Sequence, residues 1–180
     1  MQQSTITVVQ SRMSSTRFPG KVMKDILGKT LLERMLERMQ QSNKCGTIVV
    51  ATSVNPKDDP LEELCHQINI PCFRGSEEDL LERHYLCAKK FDAQVVAKIP
   101  SDCPLIDSAI MDKGFEFFFE NEYDFVSNLH PASYPDGNDV EIFTFSALEK
   151  AHLEATKKME REHTTPYFWE NPDKFKIGNF

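Results

Sequence analysis

The chain has 180 residues, 40% hydrophobic and 27% charged, with a formal net charge of −7; this is enough for one domain with a full core and excludes a disordered protein. The acidic balance argues against general nucleic-acid binding, and no apolar run is long enough to span a bilayer. The first residues lack the basic and apolar regions of a secretion signal, and five cysteines without a Cys-x-x-Cys pair suggest neither a disulfide framework nor a zinc site, so the expectation is a reduced, cytoplasmic chain with no membrane or nucleic-acid partner.

Residues 5–10 are apolar and rich in β-branched side chains, which predicts a first central strand. Leu31, Leu32, Met35, Leu36 and Met39 then recur at helical spacing, with Glu33, Arg34, Glu37 and Arg38 on the opposite face. That pattern predicts a core-facing amphipathic helix whose methionines are packing. Residues 47–52 read as a second strand, Asp59-Pro60 opens a helix, and 71–73 form a short third strand. Ser76 with Asp79 three residues on reads as the cap of a helix running to about Phe91. Residues 94–99 give a fourth strand.

Asp107 is the expected cap of the next helix, whose aromatic end at Phe115, Phe117, Phe118 and Phe119 needs a core or a second copy to cover it. A homodimer is therefore an expectation. Residues 123–127 and 140–143 read as further strands, 146–157 and 160–169 as helices, and 175–180 as the start of a strand. Strands alternating with helices predict an α/β fold: an open, mostly parallel sheet with helices on both faces. The whole chain, 1–180, is expected to be one domain. Because it ends on that strand and not on a covering helix, it reads as a fragment or a shortened form.

The segment from Val8 to Lys21 carries the strongest chemical signal, because Arg12, Arg17 and Lys21 and four hydroxyls fall in a loop directly after the first strand. The first 29 residues carry +4, which leaves −11 on the rest. Free backbone N–H groups and clustered cations at a strand end suit a polyphosphate. The loop is neither a Walker A sequence nor a Gly-x-Gly-x-x-Gly turn, so kinase-type and dehydrogenase chemistry are poor fits. A glycosyltransferase acting on a nucleotide sugar would usually show an Asp-x-Asp motif, and the chain has none.

Four blocks in order, Gln10 to Lys21, Phe73 to Arg83, Ser101 to Asp107 and Arg161 to Tyr167, resemble the cytidylyltransferase family of spore-coat polysaccharide biosynthesis protein F. That family is related to the enzymes that activate 3-deoxy-manno-octulosonate and acylneuraminate with CTP. The resemblance implies a nucleotide-diphospho-sugar transferase fold, Rossmann-like, and transfer of CMP from CTP to a sugar acid with release of pyrophosphate, for surface polysaccharide synthesis. By matching position it implies that Arg12, Ser15, Arg17 and Lys21 hold the triphosphate, and that Asp102 binds Mg²⁺, with Arg12, Lys21 and Asp102 as the catalytic set. An aspartate just past a strand is also a sensible magnesium anchor in its own right. Its local alternative is a turn former before Pro104.

The related sugar-acid enzymes carry a glutamine, used in reading the base, two positions before the metal aspartate; here that position is Pro100. The family also continues past this chain's end into a second acidic motif. A catalytically inactive binding module of the same fold is therefore the second reading. For the sugar substrate, Asp139 and Glu141 lie two apart on a predicted strand and would share a face. The alternative is an exposed polar strand face. Arg161, Glu162 and His163 read as a further acceptor or dimer element.

Overall fold

Thr5–Gln10 forms β1, a fully internal strand of a seven-stranded sheet in the computed structural model, which describes residues 3–15 and 18–180. A 3₁₀ turn at Lys21–Met23 leads into a small hairpin of β2 (Asp25–Ile26) and β3 (Lys29–Thr30). Helix α1 (Leu31–Met39) starts at Thr30, where a capping box is complete: the Thr30 hydroxyl accepts from Glu33 N–H and the Glu33 carboxylate accepts from Thr30 N–H. Strand β4 (Thr47–Ser53) follows, then a 3₁₀ turn at Pro56–Asp58, α2 (Asp59–Gln67), β5 (Cys72–Gly75), α3 (Leu80–Lys90) and β6 (Val95–Pro100). The second half holds α4 (Ser108–Asn121), β7 (Phe125–Ser127), β8 (Glu141–Thr144), α5 (Phe145–Glu154), α6 (Lys158–His163), α7 (Pro166–Glu170) and β9 (Ile177–Asn179).

The sheet order is β5-β4-β1-β6-β8-β7-β9, and β8 alone runs against its neighbours. The fold is therefore the expected α/β class, mostly parallel. Alternation along the strands divides the core in two. Val9, Val50 and Ile99 face the cluster built with Leu32, Met35, Leu61 and Phe115 of α1, α2 and α4. Ile6, Val8 and Ala51 face the opposite cluster, built with Leu81, Ala88, Leu148 and Phe168 of α3, α5 and α7. Gly46 admits β4 beside β1. Its φ is +62°, and an added Cβ would sit 2.1 Å from the Thr5 carbonyl oxygen.

Two expectations need correction, and a third is met by the core. Asp79, not Ser76, is the N-cap of α3: its Oδ1 accepts from Glu82 N–H at 2.8 Å, while Ser76 Oγ only accepts from Asp79 N–H. The expected helix over 160–169 is two short ones, because Thr164 takes a φ of 68° and Pro166, which has no N–H to donate, starts α7. The aromatic end of α4 is covered mainly from within: Phe115 and Phe118 are buried, and Phe117 packs on Tyr123 and Phe180, leaving Phe119 as the exposed ring. The surface from which a homodimer was expected is mostly internal.

Candidate active site

The chain leaves β1 toward β4 on one side of the sheet and comes back to β6 on the other, so the C-terminal ends of β1 and β6 flank the point where strand order reverses. Open α/β sheets have a crevice at such a point. Gln10 and Pro100 are register partners there, and the loops that follow them form the two walls of a cleft of about 540 Å³. Gln10, Ser11, Arg12, Ser15 and Lys21 line it from the first loop, and Pro100, Ser101 and Asp102 from the second. Glu78, Leu80 and Arg83 reach it from the start of α3, and Lys158, Glu162 and His163 from α6.

The first loop is held by specific hydrogen bonds. Gly20 N–H donates to Met13 O at 3.0 Å and adopts a left-handed φ of 67°, which closes the loop and starts the turn that carries Lys21. Met13 N–H donates to the buried Asp58 Oδ1 at 2.7 Å, and Ser53 N–H donates to Asp58 Oδ2 at 3.2 Å. Burial alone would raise the Asp58 pKa. The hydrogen bonds from Met13 N–H and Ser53 outweigh it and hold the carboxyl below its ordinary value. Glu77 adds a second tie, accepting from Asn55 Nδ2 at 2.8 Å and Ser14 Oγ at 3.4 Å.

Across the cleft, Lys21 Nζ donates to Asp102 Oδ2 at 2.6 Å, and Asp102 is 45% exposed. A cation and a carboxylate thus lie within one hydrogen bond of each other in the cleft. Among the described residues no three His, Cys, Asp or Glu side chains form a metal cage. A solvent-facing carboxylate beside Arg12 and Lys21 is nonetheless a donor that Mg²⁺ accepts, since this ion takes one or two carboxylates and otherwise water and phosphate oxygens.

Of the residues expected from sequence, Arg12, Ser15, Lys21, Asp102 and His163 meet at this cleft. Arg17 lies outside the described residues. Three others lie elsewhere. Asp139 precedes β8 in a loop, half-buried, and burial followed by the charge of Asp136 raises its pKa. Glu141 is on β8 but buried, with Lys98 Nζ at 2.5 Å and the Thr165 hydroxyl at 3.2 Å, so the two carboxylates do not share an open strand face. Arg161 turns from the cleft and donates from Nε to Asp79 Oδ2 at 2.7 Å and from Nη1 to His152 O at 2.7 Å, which ties α6 to the cap of α3.

Sequence reading missed Arg83. It is 1% exposed, donates from Nε to Ser76 O at 2.7 Å and from Nη2 to Glu77 O at 3.0 Å, and has no carboxylate within ion-pair distance among the described residues. Burial first, and then the charge of Arg12, draw its pKa below the ordinary arginine value. A signal was present: Leu80, Arg83, His84 and Cys87 fall at helical spacing, which puts an arginine on the apolar stripe of α3.

The chain is similar to known proteins over almost its whole length. It is 39% identical over 172 residues to an uncharacterised protein of Methanocaldococcus jannaschii, covering 96% of this chain and 70% of that one. With the spore coat polysaccharide biosynthesis protein SpsF of Bacillus subtilis the identity is 29%, over 94% of this chain and 72% of SpsF. A solved cytidylyltransferase structure from Leptospira borgpetersenii superposes with a TM-score of 0.95 at 36% identity, covering 99% of this chain and 76% of that one. Residues 6–179 match the family described as cytidylyltransferase, and the chain belongs to that family.

Proposed function

We propose that this protein transfers the CMP group of CTP to a hydroxyl of a sugar acid, releasing pyrophosphate, and so supplies an activated sugar for a surface polysaccharide. The observation that carries this reading is the cleft at the β1–β6 switch point, where Arg12, Ser15 and Lys21 face Asp102. The polysaccharide destination rests on the similarity to SpsF, and the sugar acid on the relation of that family to the enzymes that activate sugar acids with CTP.

In this reaction the acceptor oxygen bonds to the α-phosphorus, the bond from that phosphorus to the α–β bridging oxygen breaks, and the hydroxyl proton is lost. Charge builds on the phosphate oxygens and the departing pyrophosphate, so fixed cations lower the barrier. Arg12 and Lys21 supply them. Asp102 would hold Mg²⁺ among the phosphates, where the ion contributes Lewis-acid neutralisation. Lys158, Glu162 and His163 form the remaining wall and are assigned to the acceptor, in place of Glu141 and Arg161.

The test is pyrophosphate release by the full chain with each of the four nucleoside triphosphates, a panel of sugar acids, and Mg²⁺ or Mn²⁺. CTP is expected to support turnover, and Asp102→Ala to lose it by on the order of a hundredfold or more. No release with any triphosphate, or parental activity in Asp102→Ala, overturns the reading. Nucleotide binding that is indifferent to divalent ions and gives no turnover would instead favour a non-catalytic binding module.

A further inference from the structure

Of the five cysteines, two meet. Alternation along β5 turns Phe73 toward the α3 side of the sheet and Cys72 toward the opposite face, where α2 packs and supplies Cys65. The short connection between them is held by its backbone: Ile68 N–H donates to Leu64 O at 3.0 Å, Ile70 N–H donates to Cys65 O at 2.9 Å, and Val50 N–H donates to Pro71 O at 2.9 Å. The Cys65 thiol donates to the Cys72 sulfur. Cys45, Cys87 and Cys103 are buried, and burial is the largest effect on each of their thiols, raising Cys87 and Cys103 to about 12.

The two meeting thiols are unequal. Cys65 is 0% exposed, whereas Cys72 is half-buried on β5, an edge strand of the sheet. The hydrogen bond from Cys65 outweighs burial and the charge of Glu62, and with the positive charges of Arg74 and Lys90 it holds the Cys72 thiol below its ordinary pKa. The same hydrogen bond, followed by burial, pushes Cys65 up. Two cysteines that only filled space would both be protonated and inert. A partly exposed thiol with thiolate character, backed by a second thiol, is what oxidants select.

We infer that Cys72 and Cys65 form a redox modification site, a dithiol that a small hydroperoxide converts to a disulfide, with Cys72 as the attacking thiol and Cys65 as the resolving one. The Cys72 thiolate attacks one oxygen of hydrogen peroxide and the O–O bond breaks. The departing hydroxide takes up, as water, the proton that Cys72 had released, and Cys72 is left as the sulfenic acid. That step removes the negative charge which kept Cys65 protonated. The Cys65 sulfur then attacks the Cys72 sulfur, the S–O bond breaks, and the hydroxide leaves with the Cys65 proton as a second water. The two thiols together lose two electrons and two protons, and one peroxide is reduced to two waters. The site lies outside the cleft and owes nothing to the identity of the nucleotide.

The test treats the reduced full chain, free of nucleotide, with equimolar hydrogen peroxide, then quenches it, alkylates it under denaturing conditions and digests it with trypsin. Both cysteines, and no other, fall in the tryptic peptide 58–74. That peptide is expected to lose two hydrogens and escape alkylation at least about tenfold faster than Cys45, Cys87 or Cys103 reacts, and a thiol reductant is expected to restore it. In Cys65→Ala a dimedone adduct should collect on Cys72, and in Cys72→Ser the rapid oxidation of the peptide should vanish. The parent and Cys72→Ser, changed at a half-buried position, decide the matter where Cys65→Ala fails to fold. Oxidation spread evenly over the five cysteines, a faster disulfide from another pair, a Cys72 sulfinic acid with Cys65 still free, or rapid oxidation that survives Cys72→Ser overturns the inference. Because no arm uses nucleotide or turnover, failure of the transferase reading leaves the dithiol site untouched.

Discussion

Burying a carboxylate costs several kcal/mol unless a cation and hydrogen bonds replace its water, and Glu141, 2% exposed, has Lys98 Nζ at 2.5 Å and the Thr165 hydroxyl at 3.2 Å. The pair is cross-strand, since Lys98 of β6 and Glu141 of β8 are register partners. It ties the sheet to the segment just after His163, because Thr165 directly precedes α7. Glu141→Gln keeps the shape and can still accept from Thr165 but strands the Lys98 charge, so it should lower the unfolding free energy by about 3 kcal/mol, read from urea midpoints at neutral pH. A loss under about 0.5 kcal/mol, the range of an ordinary surface substitution, would mean that the pair is solvated and holds nothing. In the sequence, two carboxylates at i and i+2 near a predicted strand suggested a shared polar face. What the spacing cannot contain is the partner 43 positions away that turns one of them into a buried strut.

The loop after β1 shows the same dependence at the scale of elements. Its residue types were legible because they are local: cations and hydroxyls after an apolar strand, with a glycine to close the turn. Its anchor was not, since Asp58 sits 45 positions from Met13 and looks in sequence like an ordinary acid before a helix. Asp58 joins the 3₁₀ turn at Pro56–Asp58 to the end of β4 and to the loop after β1, and so fixes where Arg12 emerges. An asparagine there would turn an N–H toward a backbone N–H, and Asp58→Asn should cost about 1–3 kcal/mol near neutral pH. The pH dependence follows from the lowered folded pKa. Ionised Asp58 contributes fully above its unfolded value of about 3.9, and the contribution fades as the pH falls through the lower folded value. The gap between parent and variant in chemical denaturation should therefore be constant from pH 7 to about pH 5 and close in stronger acid. A gap that persists unchanged at the lowest pH would show that the charge of Asp58 is not what holds the loop. The α6–α7 break was hidden for a related reason: the apolar spacing of 160–169 is helical, but Pro166 and the tie of Thr164 Oγ1 to His84 Nδ1 at 3.3 Å favour an interruption.

At the scale of the molecule, the charge is divided as the site requires. The first 29 residues carry +4 and the remainder −11, so the loop after β1 is a positive island in a cleft that also holds the carboxylates of Glu78, Asp102 and Glu162, of which Asp102 is the one hydrogen-bonded to Lys21. The acidic remainder repels polyanions such as nucleic acid, while a small triphosphate can approach the island alone. The α/β class and the strand after which this island falls were readable from periodicity, whereas the antiparallel insertion of β8 between β6 and β7 was not, because pairing direction leaves no mark on hydrophobic alternation. If attraction at the island dominates nucleotide capture, the affinity for CTP must fall as salt shortens the screening length, which is about 30 Å at 0.01 M and about 8 Å at 0.15 M ionic strength. Calorimetric titration with CTP across that range is expected to show several-fold weakening, with a smaller slope in Arg12→Gln because one contributor to the field has gone. An affinity that is flat with salt, or a slope unchanged in Arg12→Gln, would mean that the loop's cations are neutralised within the protein and that the triphosphate is gripped somewhere other than the end of β1.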